Sequence, residues 1–597
     1  MSTKKERIPV DLAIGVIGKW KETYRWIPIF GTFLAFAMAF ATGANNLPIP
    51  FSTTVGSGTL TFLKASLAAC VIYVPGAALA SKSTVDALFS DFLRENQPNE
   101  AFLMWSMVAV LITATIWLAL ATYLELPVSS QQSTQGALLG TMLVTEGFNF
   151  IPMWNKNENH NFYGGGLLWI VLEWTVAPVI ACVLAFCLFR FLKVAVLRHE
   201  DLEKRILIFL PVYYGISAGG FCFYLMYQVI PHIVKVERGP TVVSVTLATL
   251  LGALLSLIVV VPLARKRLVA KGKSKAIRKN KSLEHHSVES PDPKHIGKVV
   301  DDDAKFEDIL KDYMEMRVLD TVYEEDERSW ASPEAILDSN HVQLTSHATS
   351  EQSTPFKQLL ESTPNRLVQT RNFQKIENTT SIEKASKFIR DLIKSTLFPV
   401  IEYDRHTLIR HALAEKFDEI EDFFGFPQIL ASSIFALIQS ASEVAAVVSP
   451  YGAIVDVFRH RARYSGNGED VGSIHVSWWF RAMGGFGASM GFFLCGWRLT
   501  QCLGGKLTYM SNSRGLTSQL SAVTTMVLVT MMKLPVSSSH AFVGSLLGVG
   551  VADDPQNVNW KLLIKFLCGW VLTLLFCCVV AYGIYSFSIY SPAYVVP

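Results

Sequence analysis

The chain has 597 residues, half of them hydrophobic and 17% charged, with a mean hydropathy of +0.32, which excludes a soluble globular protein of ordinary make-up and makes a polytopic membrane protein the default. Its 53 basic and 50 acidic side chains nearly cancel to a formal charge of +3, so the total implies no nucleic-acid partner. Nine cysteines fall in or beside apolar runs without ligand-like spacing and read as small buried hydrophobes, suggesting neither a metal site nor a disulfide framework.

The N-terminal arm, residues 1–25, lacks the apolar core and cleavage site of a signal peptide and carries acids that a transit peptide avoids, so the first membrane helix is expected to do the targeting. Spanning a bilayer takes about 20 mostly apolar residues. Runs of that kind occupy 26–44, 61–82, 101–124, 166–192, 206–231 and 240–264, and then 425–455, 474–497, 516–532 and 559–588. The expectation is an all-α polytopic membrane protein of about 10–12 membrane segments.

Hydropathy divides the chain into the arm, a first membrane block at 26–264, a polar loop at 265–424, a second membrane block at 425–590 and a tail at 591–597. The loop opens with ARKRLVAKGKSKAIRKNKS, turns acidic at DDDAKFEDILKDYMEM, and is rich in Ser, Thr, Asn, Gln and Pro around 331–381, so its middle is expected to be disordered. The basic run beside the preceding helix favours the cytoplasmic side. Sequons at Asn280 and Asn378 would then stay unglycosylated.

ATGANNLPIPFSTTVGSG, Ala41 to Gly58, follows directly on an apolar run. Helix-breaking backbone at membrane depth is tolerated only where it is buried in protein or lines a cavity. The stretch therefore reads as an interruption whose carbonyl and amide oxygens would suit a hard cation such as sodium. The alternative is a helix that ends at Gly43, with an external loop beyond.

LPVSSQQSTQGALLGTML, from Leu126, and LPVSSSHAFVGSLLGVGV, from Leu534, repeat one another across the two blocks. Recurrence at this distance points to the duplicated halves of a secondary transporter. Proline suits the first turn of a helix, so helices are expected to start at Pro127 and Pro535. The hydroxyls of Ser129, Ser130, Ser537, Ser538 and Ser539 would then crowd a helix end where the dipole is positive and backbone N–H groups are free, which makes an anion site if the helix ends at mid-membrane. Small residues near a membrane helix start also serve close packing; two copies in corresponding places favour binding.

Glu125 and Lys533 hold the same place in the two copies with opposite signs, and either pair with one another or sit at opposite interfaces. Glu173 lies inside an apolar run and is either functional or a satisfied helix contact. Arg514 either attracts or gates an anion or holds the turn of SNSRG.

At these residues the sequence resembles the inorganic phosphate transporter (PiT) family. That family's first signature reads approximately GANDVANSFGTSVGSGALT, and Gly43 to Thr61 is GANNLPIPFSTTVGSGTLT. LPVSSSHAFVGS resembles the family's LPVSTTHxxVGA, and LGGKLTYMSNSRGLTSQLSA resembles GxKLTxxxPSRGFxxELxA, with Arg514 and Gly515 on the matching positions. HALAEKFDEIEDFFGFPQIL looks like the stretch leading into the second signature. The resemblance covers both apolar blocks. It implies two inverted repeats with broken helices and re-entrant hairpins, and transport of phosphate coupled to sodium or protons. Ser129, Ser130, Ser537, Ser538 and Ser539 would bind phosphate, and Asn45, Asn46, Ser442 and Glu443 the coupling ion. Glu125, Glu173, Arg514, Lys533 and His540 would gate or support.

The chain departs from the family where those ions would sit. Asn46 replaces the signature Asp and Ile49 an Asn, while Pro48 and Pro50 enter a small-residue pattern. The second signature, HGANDVANAIGP in the family, is QSASEVAAVVSP here, with Glu443 for the Asp and Ala446 for an Asn; in the first hairpin the family's His is Gln132. Fewer charged oxygens weaken a sodium site, so weaker sodium dependence, or proton coupling through Glu443, is expected. A phosphate sensor without transport and a transporter of another oxyanion such as sulfate remain alternative readings. No catalytic constellation suggests an enzyme. A plasma-membrane location is expected, and a homodimer is one assembly compatible with such a chain.

Overall fold

The computed structural model describes residues 19–79, 100–147, 155–156, 164–165, 167–199, 201–226, 230, 238–270, 403–461, 476–532 and 536–590. They belong to one unit, formed by residues 1–297 together with 398–597. The expected features at Lys533, Pro535, Asn280, Asn378 and the middle of the polar loop lie outside the described residues, as does the side chain of Glu173.

All ten apolar runs hold helix. In chain order the principal elements are α1 (Trp26–Asn46), α2 (Pro48–Gly56), α3 (Phe62–Leu79), α4 (Glu100–Tyr123), α5 (Ser130–Glu146), α6 (Leu167–Leu192), α7 (Leu202–Tyr224) and α8 (Arg238–Leu255). Then come α9 (Arg405–Leu413), α10 (Asp418–Arg459), α11 (Trp478–Cys495), α12 (Trp497–Gln501), α13 (Asn512–Met531), α14 (Ser538–Asp553) and α15 (Trp560–Tyr590). Two-residue strands β1 (Asn155–Lys156) and β2 (Gly164–Gly165) form an antiparallel pair, the one non-helical pairing among the described residues. Seven described helices are long and apolar enough to cross a membrane. The other runs hold α3, α11 and α13, which are shorter or more polar; α13 carries Arg514, Gln519 and several buried hydroxyls. Helix satisfies its backbone polar groups internally, as a lipid solvent demands, and large apolar side chains such as Phe33, Val71, Val242 and Phe587 cover the outer surface.

The structure corrects four expectations. The stretch after Gly43 is not a loop: α1 passes through a single residue, Leu47 (φ −68°, ψ −25°), into α2, so the expected interruption is a junction between two helices that stay αR throughout. Pro48 and Pro50 lack the N–H that would bond the carbonyls of Ala44 and Asn46; the Asn46 carbonyl instead accepts from Gln439 Nε2 at 3.0 Å. Secondly, the hairpin helices begin at Ser130 and Ser538, not at the prolines. Ser129 (φ −88°, ψ 128°) and Ser537 (φ −103°, ψ 122°) are extended N-caps, the conformation a capping serine adopts, and the fixed φ of Pro127 is compatible with an extended approach as well as with a helix. Thirdly, helix enters the polar loop at both ends: residues 261–270 are helical, and α9 and the start of α10 fall before 425. Fourthly, Cys502 and Cys577 are buried, but Cys187, Cys495 and Cys568 are exposed on the apolar exterior.

The two hairpin helices pack crosswise between the blocks: α5 lies against α15, and α14 against α6. Glycines permit both approaches. A Cβ on Gly140 would stand 2.2 Å from the Cys578 carbonyl oxygen, and one on Gly548 2.2 Å from that of Cys182. Gly136 and Gly544 sit one turn earlier, against Leu574 and Pro178, so each helix carries a small-xxx-small face of the kind that lets membrane helices approach closely.

Candidate anion and coupling-ion site

The extended Leu126–Ser129 approach is fixed by one side chain from α1. Asn45 donates from Nδ2 to the Leu126 carbonyl at 2.9 Å and to Thr122 Oγ1 at 3.1 Å, and its Oδ1 accepts from the Val128 N–H at 3.0 Å. Asn45, expected as an ion ligand, is thus engaged in shaping the first hairpin tip. Ser129 caps α5 by accepting from the Gln132 N–H at 3.4 Å. The second tip reaches the first directly, Ser539 Oγ donating to the Val128 carbonyl at 3.2 Å.

Both tips converge on Glu443, in the middle of α10. Ser538 Oγ donates to its Oε1 at 2.6 Å, Ser130 Oγ donates to Oε2, and Asn46 Nδ2 donates to Oε2 at 2.8 Å. Gln439 Nε2, one turn earlier on α10, donates to Ser538 Oγ at 3.2 Å as well as to the Asn46 carbonyl. Asn46, Ser130, Gln439, Glu443 and Ser538 are all buried. A carboxylate is therefore held where two helix N-termini meet, the position their partial positive charge favours for an anion. Ser442, the neighbour of Glu443, turns its hydroxyl back onto the Gln439 carbonyl at 3.0 Å, and its own carbonyl accepts from Gln131 Nε2 at 3.3 Å.

The tips are not equivalent. His540 occupies the place of Gln132, and its Nδ1 lies within hydrogen-bonding distance of Ser537 Oγ, so Ser537 makes no side-chain cap on α14. The imidazole lies against Trp570, with ring centroids 3.9 Å apart, and the indole N–H donates to the Pro127 carbonyl at 2.9 Å, tying the second tip to the first. Several buried polar atoms on the helices that form this centre have no hydrogen-bond partner among the described residues: Thr42 Oγ1, Asn46 Oδ1, Gln132 Nε2 and Oε1, Gln439 Oε1 and His540 Nε2. Buried polar groups are ordinarily paired, so each of these atoms calls for a partner such as water or an ion.

The remaining expected residues lie elsewhere. Glu125, at a positive φ of 58°, forms an ion pair with Lys506 at 2.7 Å. Arg514 is fully buried and bonds Asp553 at 2.6 Å and the Glu415 carbonyl at 2.7 Å, so it holds the start of α13 against the end of α14 and does not reach the centre with its guanidinium free. Two further glutamines, Gln439 and Gln519, belong to the buried hydrogen-bond network without carrying a motif role in the sequence. Gln519 accepts from Ser432 at 2.8 Å and donates to the Pro50 carbonyl at 2.7 Å and to Thr53. The signal for both was there: a glutamine inside an apolar run must find partners for an amide in lipid.

The sequence profile described as Phosphate transporter family matches residues 32–581. The chain belongs to the phosphate transporter family. Among relatives, it is 21% identical to the phosphate-repressible phosphate permease pho-4 of Neurospora crassa, over 92% of this chain and 95% of that one. It is 23% identical to a sodium-dependent phosphate transporter of Plasmodium falciparum, over 96% of this chain and 98% of the other. A solved structure titled "The sodium-dependent phosphate transporter" shares the fold with a TM-score of 0.58 at 19% identity, covering 95% of this chain and all of that one. This family member is a multi-pass membrane protein, with its two signature segments brought side by side at Asn46 and Glu443.

Proposed function

We propose that the protein is a secondary active transporter of inorganic phosphate, with the hairpin tips as the oxyanion site. The observation that carries this reading is the meeting of two serine-bearing helix N-termini at one buried centre, in a chain whose relatives are named phosphate permeases and sodium-dependent phosphate transporters. Ser130, Ser538 and Ser539 donate to phosphate without adding a fixed charge that would have to be expelled with it, and the helix dipoles supply the positive potential. Ser129 shapes the first tip by capping α5, while Ser537 shapes the second through its extended backbone ahead of α14. No covalent step is required; an ion gradient drives the flux, across a plasma membrane.

The coupling ion would draw on orphaned hard oxygens, Asn46 Oδ1 and Gln439 Oε1, on two side chains already joined through the Asn46 carbonyl; their type suits sodium. These oxygens carry no formal charge, and Glu443 turns both of its own oxygens to Ser130, Ser538 and Asn46. We therefore assign the protein weak sodium dependence, with Glu443 as the group that exchanges a proton when phosphate is carried.

The test is uptake of radiolabelled phosphate into proteoliposomes, with sodium and proton gradients imposed independently. Saturable uptake driven by a pH gradient and little changed by sodium is expected. Absence of flux with retained phosphate binding would replace transport by a sensor role, and preference for sulfate would overturn the substrate.

A further inference from the structure

A serine hydroxyl has one proton to donate. In this protein the protons of Ser130 and Ser538, one from each hairpin tip, are both given to Glu443. Gln439 leaves Ser538 no other choice: its Nε2 donates to Ser538 Oγ at 3.2 Å, so that hydroxyl accepts from the amide and points its proton at the carboxylate. Asn46 supplies a third donor. The two helix N-termini thus already serve an anion, and that anion belongs to the chain. The family signature has an aspartate at this position, one methylene shorter, whereas the glutamate spans both tips at once, with Oε1 on one hairpin and Oε2 on the other.

We infer that Glu443 is a tethered competitor for the transported oxyanion: its carboxylate fills the junction of the hairpin tips in the empty protein, and phosphate binds there only as the carboxylate withdraws. The inference rests on the reading of those tips as the phosphate site, and gives that site a built-in regulator. Two anions cannot share hydroxyls that each carry a single proton, and a second negative charge beside an ionised carboxylate in a buried site is repelled strongly. Withdrawal of Glu443 releases Ser130 and Ser538 together, so one rotamer change opens both tips. It also frees the Asn46 amide, linking occupancy of the anion site to the residue that stands at the cation position of the first signature.

The experiment is equilibrium binding of radiolabelled inorganic phosphate to the purified full chain in lipid nanodiscs, at fixed pH in sodium-free choline buffer. Wild type, Glu443→Gln, Glu443→Asp and Ser538→Ala are compared. Glu443→Gln keeps the shape and removes the charge, and a roughly tenfold lower Kd is expected, equivalent to ~1.4 kcal/mol. Glu443→Asp, too short to span both tips, is expected to tighten binding by a smaller factor and carries the test if the glutamine variant does not fold. Ser538→Ala should weaken binding. Binding detected only in the Glu443 variants would also support the inference. Phosphate bound by wild type and no more tightly by either Glu443 variant would overturn the inference alone, whereas phosphate bound equally by Ser538→Ala would overturn the reading of the tips as the phosphate site together with the inference that rests on it. If no variant and no wild-type sample binds phosphate, the phosphate reading itself falls and takes the competitor with it.

Discussion

Asn46 and Glu443 stand at corresponding positions of the two signatures, and in the folded chain their side chains meet at 2.8 Å. An amide facing a carboxylate is a self-sufficient pair; two carboxylates at that separation could not both stay ionised without a cation between them. Asn46→Asp is therefore expected to make phosphate uptake steeply sodium-dependent, measured as initial rate against external sodium in proteoliposomes. Gln439 has a different task, because it covers the carbonyl that Pro50 leaves without a helical partner. Gln439→Leu leaves that buried carbonyl bare, a loss of about 1–3 kcal/mol, visible as a lower melting temperature in detergent even if uptake survives. The sequence showed that Asn46 and Glu443 were departures from the family pattern. It did not show that each is the other's partner, since a hydrogen bond across 397 residues depends on how α1 and α10 pack.

At the level of helices, the hairpin repeat was legible and its consequence was not. The matched serines and the glycines about two and three turns beyond them, Gly136 and Gly140, Gly544 and Gly548, recur in register. Only the fold reveals that each copy is received by a helix of the other block, α5 by α15 and α14 by α6. Gly548→Val would drive a methyl-bearing carbon into the Cys182 carbonyl, so the helices must separate. A loss of about 1–3 kcal/mol or more is expected for such overpacking. Gly583→Val, at a position with nothing within 4 Å, should leave the melting temperature unchanged and serves as the comparison. The start of α5 has two local candidates in the sequence. Pro127 and Ser129 are both good helix-start residues, and the choice between them was made by Asn45, which binds the Leu126 carbonyl and the Val128 N–H and so holds the chain extended past the proline.

Across the whole molecule, an ion-pair network binds the ends of several helices. Lys193 joins Glu415 at 2.8 Å and Asp553 at 2.9 Å; Arg198 joins Glu415 at 2.7 Å, and Arg514 joins Asp553 at 2.6 Å. The hydrogen bond from Arg198, helped by Lys193, holds the Glu415 carboxyl at about 2, below its ordinary 4.5. A carboxyl lowered on folding stabilises the protein above its unfolded value, and that contribution is lost as pH falls from about 4.5 toward 2. The melting temperature should fall through that window in wild type and vary less in Glu415→Gln, followed by thermal unfolding in detergent. Arg514, read from sequence as either an anion attractor or a turn residue, spends its guanidinium on Asp553 and the Glu415 carbonyl within this network.

The sequence by itself determined the solvent and the helical architecture: apolar runs of spanning length admit only helix in lipid, and the twice-written LPVSS motif singled out the two segments that would be duplicates of one another. These are properties of local composition and recurrence, which no packing can alter. Tertiary structure alone decided that the two serine tips meet, that Glu443 fills their junction, and that Asn45 shapes a turn. Such assignments turn on which hydroxyl proton reaches which oxygen across hundreds of residues, and a hydrogen bond is settled by geometry that no linear spacing encodes.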